Sequence, residues 1–282
     1  MPPLLKIRAE RDQMSAIERR IADFLLENAH LLRDYSSQQL ADALQISQSS
    51  VVKFSQKLGF KGYPDLKYSV GEAVARSSGA DVAGTPRASK AATREALAES
   101  LWQGKSRAEE ETRLINGTEK LLEVANLITR AGKVFCLGSG EDSIAAAGFA
   151  TRLALLGTLA LHQSDAVLMT SAISSAGKGD VLFVFSEHGQ QHALNQIARQ
   201  FRERHGKVVS VTRHTSNPLR AHADVPLLVS AHDERSHIEP LLYQSALQHL
   251  LDQVFVLLCD GDRLEQLNSN LEHVQHLLDP KL

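Results

Sequence analysis

Between Ser47 and Tyr63 one group of side chains is suited to recognition more than to bond-making. Val51, Phe54 and Leu58 recur at helical spacing and take the buried face of a helix, which leaves Gln48, Ser49, Ser50, Lys53 and Lys57 outward. A glutamine amide can bond two edge atoms of adenine, a serine hydroxyl reaches base or phosphate, and lysines neutralise phosphates. Ser47, just ahead of this face, is a good N-cap for the helix. Gly59 ends it, and Lys61 and Tyr63 follow where a second contact with a nucleic-acid backbone is expected. From Val51 to Val70 the lysines at 53, 57, 61 and 67 are balanced only by Asp65, so positive charge is concentrated beside these residues.

The elements that must hold this face are a pair of short helices. Leu40, Ala41 and Leu44 supply the apolar side of the first, and small Ala41 lets its partner approach. Ile46 packs in the turn. The pair, about residues 37–56, is expected to be a helix-turn-helix whose second helix enters a DNA major groove by its N-terminal half. A plain helical hairpin with a solvated face has the same spacing, so spacing alone leaves both readings open. Upstream, Ile21, Phe24, Leu25, Leu31 and Leu32 also fall near helical spacing. The block as far as Arg76 therefore reads as all helix.

A chain of 282 residues is long enough for two cores, and its 43% hydrophobic and 23% charged content is ordinary for a globular protein. A net charge of −2 argues against a protein that coats nucleic acid indiscriminately, without excluding local recognition. The N-terminal segment MPPLLKIRAERDQM lacks a signal-peptide core, and no run approaches the ~20 apolar residues of a membrane span. Cys136 and Cys259 lie in apolar runs and read as buried free thiols, in line with a reducing cytoplasm. The stretch SSGADVAGTPRASKAAT, Ser77–Thr93, reads as a linker. Beyond it, two helical segments, REALAESLWQGKSRAEEETRLI and TEKLLEVANLITRAG, lead into strands KVFCLG, TLALH, DVLFVFS, KVVSVTR and DVPLLVS. Amphipathic stretches such as Ser143–Leu156 and Gln191–His205 separate the strands, and a helical pair, about Ile238–Leu258 and Gly261–Leu278, follows. Nearly continuous apolar strands alternating with helices imply a parallel sheet covered on both faces.

IADFLLEN, SSQQLADAL and ISQSSVVKFSQKLGFKGYPDLK together resemble the N-terminal domain of the RpiR family of bacterial regulators, most closely its MurR-type members. The likeness runs from about Leu4 to Arg76. It implies a DNA-binding helix-turn-helix domain followed by a sugar isomerase (SIS) fold. CLGSGEDSIAAAGFATRLALLG, DVLFVFSEHGQQHALNQIA, RHGKVVSVT and SNPLRAHADVPL are in turn similar to an SIS domain over about Thr118–Leu258. The implied organisation is a DNA-binding domain at 1–77, a linker at 78–93 and an effector-binding and dimerisation domain at 94–282, with its core at about 118–258. The chain is thus expected to be a transcription factor, usually a repressor in this family. It would bind double-stranded operator DNA as a homodimer or homotetramer, require no cofactor or metal, and respond to a small metabolite.

In such folds, loops at the carboxyl ends of parallel strands precede helix N-termini that favour an anion, and hydroxyls complete a phosphate cradle. The resemblance places Ser139, Gly140, Asp142, Ser143, Ser186, His188 and Gln191 at that site. Three of these depart from the family pattern. Asp142 and His188 stand where serines are usual, and Gln191 replaces a hydroxyl residue. A carboxylate ~4 Å from a phosphate costs about 1–4 kcal/mol depending on the local dielectric; His188, if protonated, would restore some positive charge, and if Asp142 paired with it the two would partly cancel. A sugar phosphate held by Ser139, Ser143, Ser186 and backbone amides, a pocket retuned to a metabolite with amine or neutral polar groups, and a vestigial pocket are the readings this leaves. An aldose–ketose isomerase would need a base, for which Glu141, Glu187, Glu234 and His188 qualify by type without standing in an identifying motif. The four-residue spacing of His188 and His192 lacks a metalloprotease glutamate, and His214, His222, His232 and His237 are scattered. Gly138-Ser139-Gly140 lacks the third glycine of a dinucleotide fold. A nucleoid-type structural protein fits poorly with the modest basic patch and the large α/β block.

Overall fold

A computed structural model describes residues 1–29, 32, 35–80, 94–233 and 235–279. These divide into two compact units, Met1–Leu97 and Ala98–Leu282.

The first unit is helical: α1 (Pro3–Glu10), α2 (Ala16–Glu27), α3 (Ser37–Ala43), α4 (Gln48–Lys57) and α5 (Tyr63–Ala80). Its short helices start where the sequence supplies caps. Ser15 with Glu18, and Ser36 with Gln39, form reciprocal capping boxes at α2 and α3, which satisfies amides that have no partner inside the helix. Between α3 and α4 the chain reverses through Gln45 at φ 50°, a left-handed conformation that costs a non-glycine residue energy. Ile46 N–H closes this turn onto the Ala41 carbonyl at 2.9 Å. Ile7, Ile21, Leu25, Leu40, Ala41, Val51, Phe54, Leu58, Leu66 and Val70 form one buried core. Leu32 is buried with them, and Leu31 lies outside the described residues. The expected linker begins too early: α5 continues through 77–80, a stretch with no proline to break the helix. The rest of that segment, 81–93, lies outside the described residues.

In the chain order of the second region come α6 (Arg94–Ile115), α7 (Thr118–Arg130), β1 (Val134–Leu137), α8 (Glu141–Leu155), β2 (Ala160–Gln163), α9 (Ala166–Ile173), β3 (Val181–Phe185), α10 (His192–Glu203), β4 (Lys207–Arg213), β5 (Val225–Val229), α11 (Glu239–Leu258) and α12 (Asp262–Leu278). The five strands are all parallel, in the order β2-β1-β3-β4-β5. Alternate strand residues feed two cores, as the two-residue period of a strand requires. Val134, Cys136, Phe183, Phe185, Val209 and Val211 face α7, α8 and α11. Phe135, Leu137, Leu182, Val184 and Val208 face α9 and α10. The helix α9, capped by Asp165 through the amides of Val167 and Leu168, was not foreseen: AVLMTSAI is short and almost wholly apolar, so it shows little helical periodicity. Cys136 is buried, and burial pushes its thiol well above the ordinary range. Cys259, expected to be buried, is only half-buried where α11 ends. No described helix is long and apolar enough to cross a membrane.

Candidate nucleic-acid interface and effector crevice

On α4 the apolar positions Val51 and Phe54 are buried, and Gln48, Ser49, Lys53 and Lys57 are exposed with Ser50 half-exposed. Ser47 caps the helix: its Oγ accepts from Ser50 N–H at 3.2 Å and lies 2.9 Å from Ser49 Oγ and 2.8 Å from Ser50 Oγ. Three hydroxyls are thereby gathered at the helix N-terminus, where the dipole is positive. Gln48 Nε2 donates to Ser37 Oγ at 2.8 Å and so spans the start of α3 and the start of α4. Lys57 is exposed but paired, its Nζ 2.9 Å from both carboxylate oxygens of Glu18, which the ion pair holds below the usual carboxylate range. Lys61 is exposed, and its backbone N–H donates to Asp65.

Tyr63 requires a correction. Its side chain is 3% exposed, its hydroxyl donates to the Tyr35 carbonyl at 3.0 Å, and burial pushes its pKa up to about 12. It fixes the segment before α3 from within the core, so the contact expected of it with a nucleic-acid backbone is not one its hydroxyl is placed to make. The sequence offered no way to see this, because a tyrosine two residues past a lysine on a turn reads as exposed.

In the second unit, strand order reverses between β1 and β3, whose neighbours β2 and β4 lie on opposite sides. A crevice forms at the carboxyl ends of strands at such a point, and ligands bind there in open α/β sheets. The β1–α8 and β3–α10 loops line it. Gly138 is required in the first: a Cβ there would meet the Asp142 carbonyl oxygen at 2.7 Å and Ser143 N at 2.9 Å. Gly140 then starts α8 at φ 60°.

The expected effector residues come to these two loops, but several are occupied with one another. Asp142 is 8% exposed. Its Oδ2 accepts from Glu187 N–H at 2.9 Å and its Oδ1 from the Tyr243 hydroxyl at 3.4 Å. Burial raises its pKa, and the amide and phenol bonds oppose that rise. A pairing with His188, which the sequence left open, is not among these bonds. His188 is exposed. Ser139 Oγ donates to Gln191 Oε1 at 2.6 Å, so a second side-chain bond crosses from loop to loop. Ser143 is half-buried with its Oγ 3.1 Å from His162 Nε2. Ser186, expected to hold a ligand, is 2% exposed and lies beneath the loop it begins.

The helix-turn-helix model of the rpiR family matches residues 1–77, and the SIS domain model matches residues 127–258. An HTH-type transcriptional regulator of Escherichia coli K12, YfhH, itself uncharacterised, is 30% identical over 281 residues, 99% of each chain. The chain belongs to the RpiR family. It is an HTH–SIS transcriptional regulator of that family, with a helical DNA-binding fold and a five-stranded parallel SIS sheet flanked by helices. Solved structures share the fold. The Vibrio vulnificus NanR protein complexed with ManNAc-6P superposes with a TM-score of 0.60 at 20% identity, over 99% of both chains. The sugar isomerase domain of an RpiR transcription factor from Sphaerobacter thermophilus gives 0.57 at 16% identity, over 64% of this chain and 98% of that one.

Around the crevice this RpiR-family regulator holds a cluster that the sequence reading did not assemble. Arg213, at the carboxyl end of β4, places Nε 2.8 Å from Glu187 Oε1 and Nη1 2.8 Å from Glu239 Oε1. Its guanidinium lies 5.8 Å from the centre of the Tyr243 ring. One buried cation thus joins the β3–α10 loop, β4 and α11, and its two partly exposed carboxylate partners offset the cost of burying it. An arginine closing the apolar run KVVSVTR was the available signal, whereas Tyr243, mid-helix in α11, gave none. Of the candidate isomerase bases, Glu187 is engaged by Arg213, Glu141 is exposed on the first turn of α8, and Glu234 lies outside the described residues. Among the described residues no group of three or more His, Cys, Asp or Glu is placed to hold a metal ion.

Proposed function

We propose that residues 1–77 read an operator through the N-terminal half of α4 and that 94–282 bind a small carbohydrate-derived effector in the β1–β3 crevice and dimerise. The observation that carries the first half is the exposed face of Gln48, Ser49 and Lys53, positioned by the Ser47 cap on a helix whose opposite face is core. Base-edge contacts come from Gln48 and Ser49, and phosphate contacts from Ser50, Lys53 and Lys61. Lys57 contributes once DNA displaces Glu18 from it. The crevice at the switch point supports the second half, and the NanR protein, of like fold, is complexed with ManNAc-6P. The regulator acts on cytoplasmic DNA and represses, with the second unit serving as a sensor and not as a catalyst.

Dimerisation is supported by α12, which buries none of its residues and leaves Leu264, Leu271, Val274, Leu277 and Leu278 exposed. Apolar side chains gathered on one exposed element mark interaction surfaces. Recovery of bound fragments from a genomic library by the purified full chain tests the DNA reading: a near-palindromic site is expected. Equal retention of random DNA at physiological salt would refute it. The isolated segment 1–80 should bind that site weakly and without response to any effector of the full chain. A retained response would refute the division of labour.

A further inference from the structure

The two loops that line the crevice are tied to each other by hydrogen bonds that Asp142 accepts and Ser139 donates. Asp142 reaches from the first turn of α8 to the Glu187 amide at the start of the β3–α10 loop. Gln191, at the N-cap of α10, reaches back to Ser139. The Glu187 N–H at the start of the loop is thus already bonded to an acidic group of the protein, and the Ser139 hydroxyl is already bonded to an amide oxygen. Arg213, the buried cation beside the loop, is divided between Glu187 and Glu239. Two acidic side chains thus share one guanidinium, and Asp142 is bonded instead to the Glu187 amide and the Tyr243 hydroxyl.

We infer that Asp142 occupies the anion seat of the crevice, so that the effector is an unphosphorylated sugar or amino sugar and not a sugar phosphate. This rests on the reading of the crevice as the effector site. A phosphate group brought to the seat meets two obstacles with one cause. The ionised Asp142 repels it, and even a protonated Asp142 keeps the Glu187 N–H occupied. The groups that remain suit a ligand rich in O–H or N–H donors. Such a ligand donates to the Gln191 Oε1 that Ser139 now holds and to the oxygens of Glu187 and Glu239 on the edge of the cluster, which are partly exposed. Neutral hydroxyls and an ammonium share this chemistry, and the two are separated by the probes below.

The test uses the full chain in isothermal titration with inorganic phosphate, glucosamine 6-phosphate, glucosamine and glucose. The wild type should show no heat with phosphate, and should bind either unphosphorylated probe more tightly than glucosamine 6-phosphate. Preference for glucosamine over glucose assigns the ammonium, and equal binding assigns the hydroxyls. Asp142→Ser, which restores a hydroxyl and removes the carboxylate, should gain about tenfold or more in phosphate affinity. Asp142→Asn keeps the shape, removes the charge, and carries the same comparison if circular dichroism shows the serine variant unfolded. Wild-type binding of glucosamine 6-phosphate as tight as that of glucosamine would overturn the inference, as would the absence of any phosphate gain in both variants. A phosphate gain with no probe altering the mobility of an operator complex upholds the seat assignment and refutes the effector reading beneath it.

Discussion

Single side chains divide here into those that face outward to read and those that hold the reader in place. Gln48 and Lys53 are exposed on the same helix, and the base and phosphate roles proposed for them make their loss separable. Gln48→Ala should cost about 1–3 kcal/mol at the cognate site and relax base preference, whereas Lys53→Ala should weaken binding to all sequences and lower the salt slope by about one. Fluorescence anisotropy on cognate and random duplexes over a salt series measures both. Equal weakening by Gln48→Ala on the two duplexes would remove it from base recognition. Asp142 makes a prediction in pH. Its folded-state pKa is raised, chiefly by burial, so its contribution to stability is greatest below the unfolded-state value and is lost as pH rises through the folded one. Asp142→Asn cannot lose it, so the urea midpoint of the variant should gain on that of the wild type as pH rises above the ordinary carboxylate value of about 4.

Elements in this protein are short and depend on their ends. The helices α3 and α4 have 7 and 10 residues, lengths at which an isolated helix is not stable in water, so capping and core contact set their geometry. Ser47 carries both the cap and the hydroxyl cluster, and Ser47→Ala should cost about 1 kcal/mol while also loosening the presentation of Gln48. The strand-to-helix turn at Gly138 is equally constrained. A methyl group there enters the backbone of Asp142 and Ser143, and backbone cannot yield as a flexible side chain does. Gly138→Ala is therefore expected to destabilise the protein by about 1–3 kcal/mol, read as a lowered urea midpoint with unchanged slope. Wild-type stability in this variant would show that the loop has room to shift.

At the scale of the whole molecule the question is how one chain couples a reader to a sensor. An effector can change operator affinity only by binding two arrangements of the protein unequally. In a two-fold dimer each half-site takes one α4, and half-sites one helical turn or a multiple apart, about 10 bp, are required. Insertion of about 5 bp between them should abolish tight binding, and insertion of about 10 bp should restore much of it. Mobility-shift titration of the spaced duplexes checks this. Indifference to spacing would mean that each reader binds alone.

The helix-turn-helix, the alternation of strand and helix and the parallel character of the sheet were legible in the amino-acid order, because periodicity, caps and glycine stops are local signals. The two loops of the crevice were legible too, through glycines and hydroxyls at the ends of apolar strands. What the linear order could not express is which polar groups spend their bonds on each other. Tyr63 reads as an exposed aromatic and proves to be core, held to Tyr35 across 28 positions. Lys57 meets Glu18 from 39 residues away, and Asp142 meets Glu187 across 45. Arg213 gathers Glu187 and Glu239 from two other elements. Hydrogen bonds and ion pairs act over a few ångströms of space with no regard to sequence distance. The residue types able to read DNA and line a crevice were therefore decided by sequence, and which of them remain available to a partner was decided by the tertiary structure.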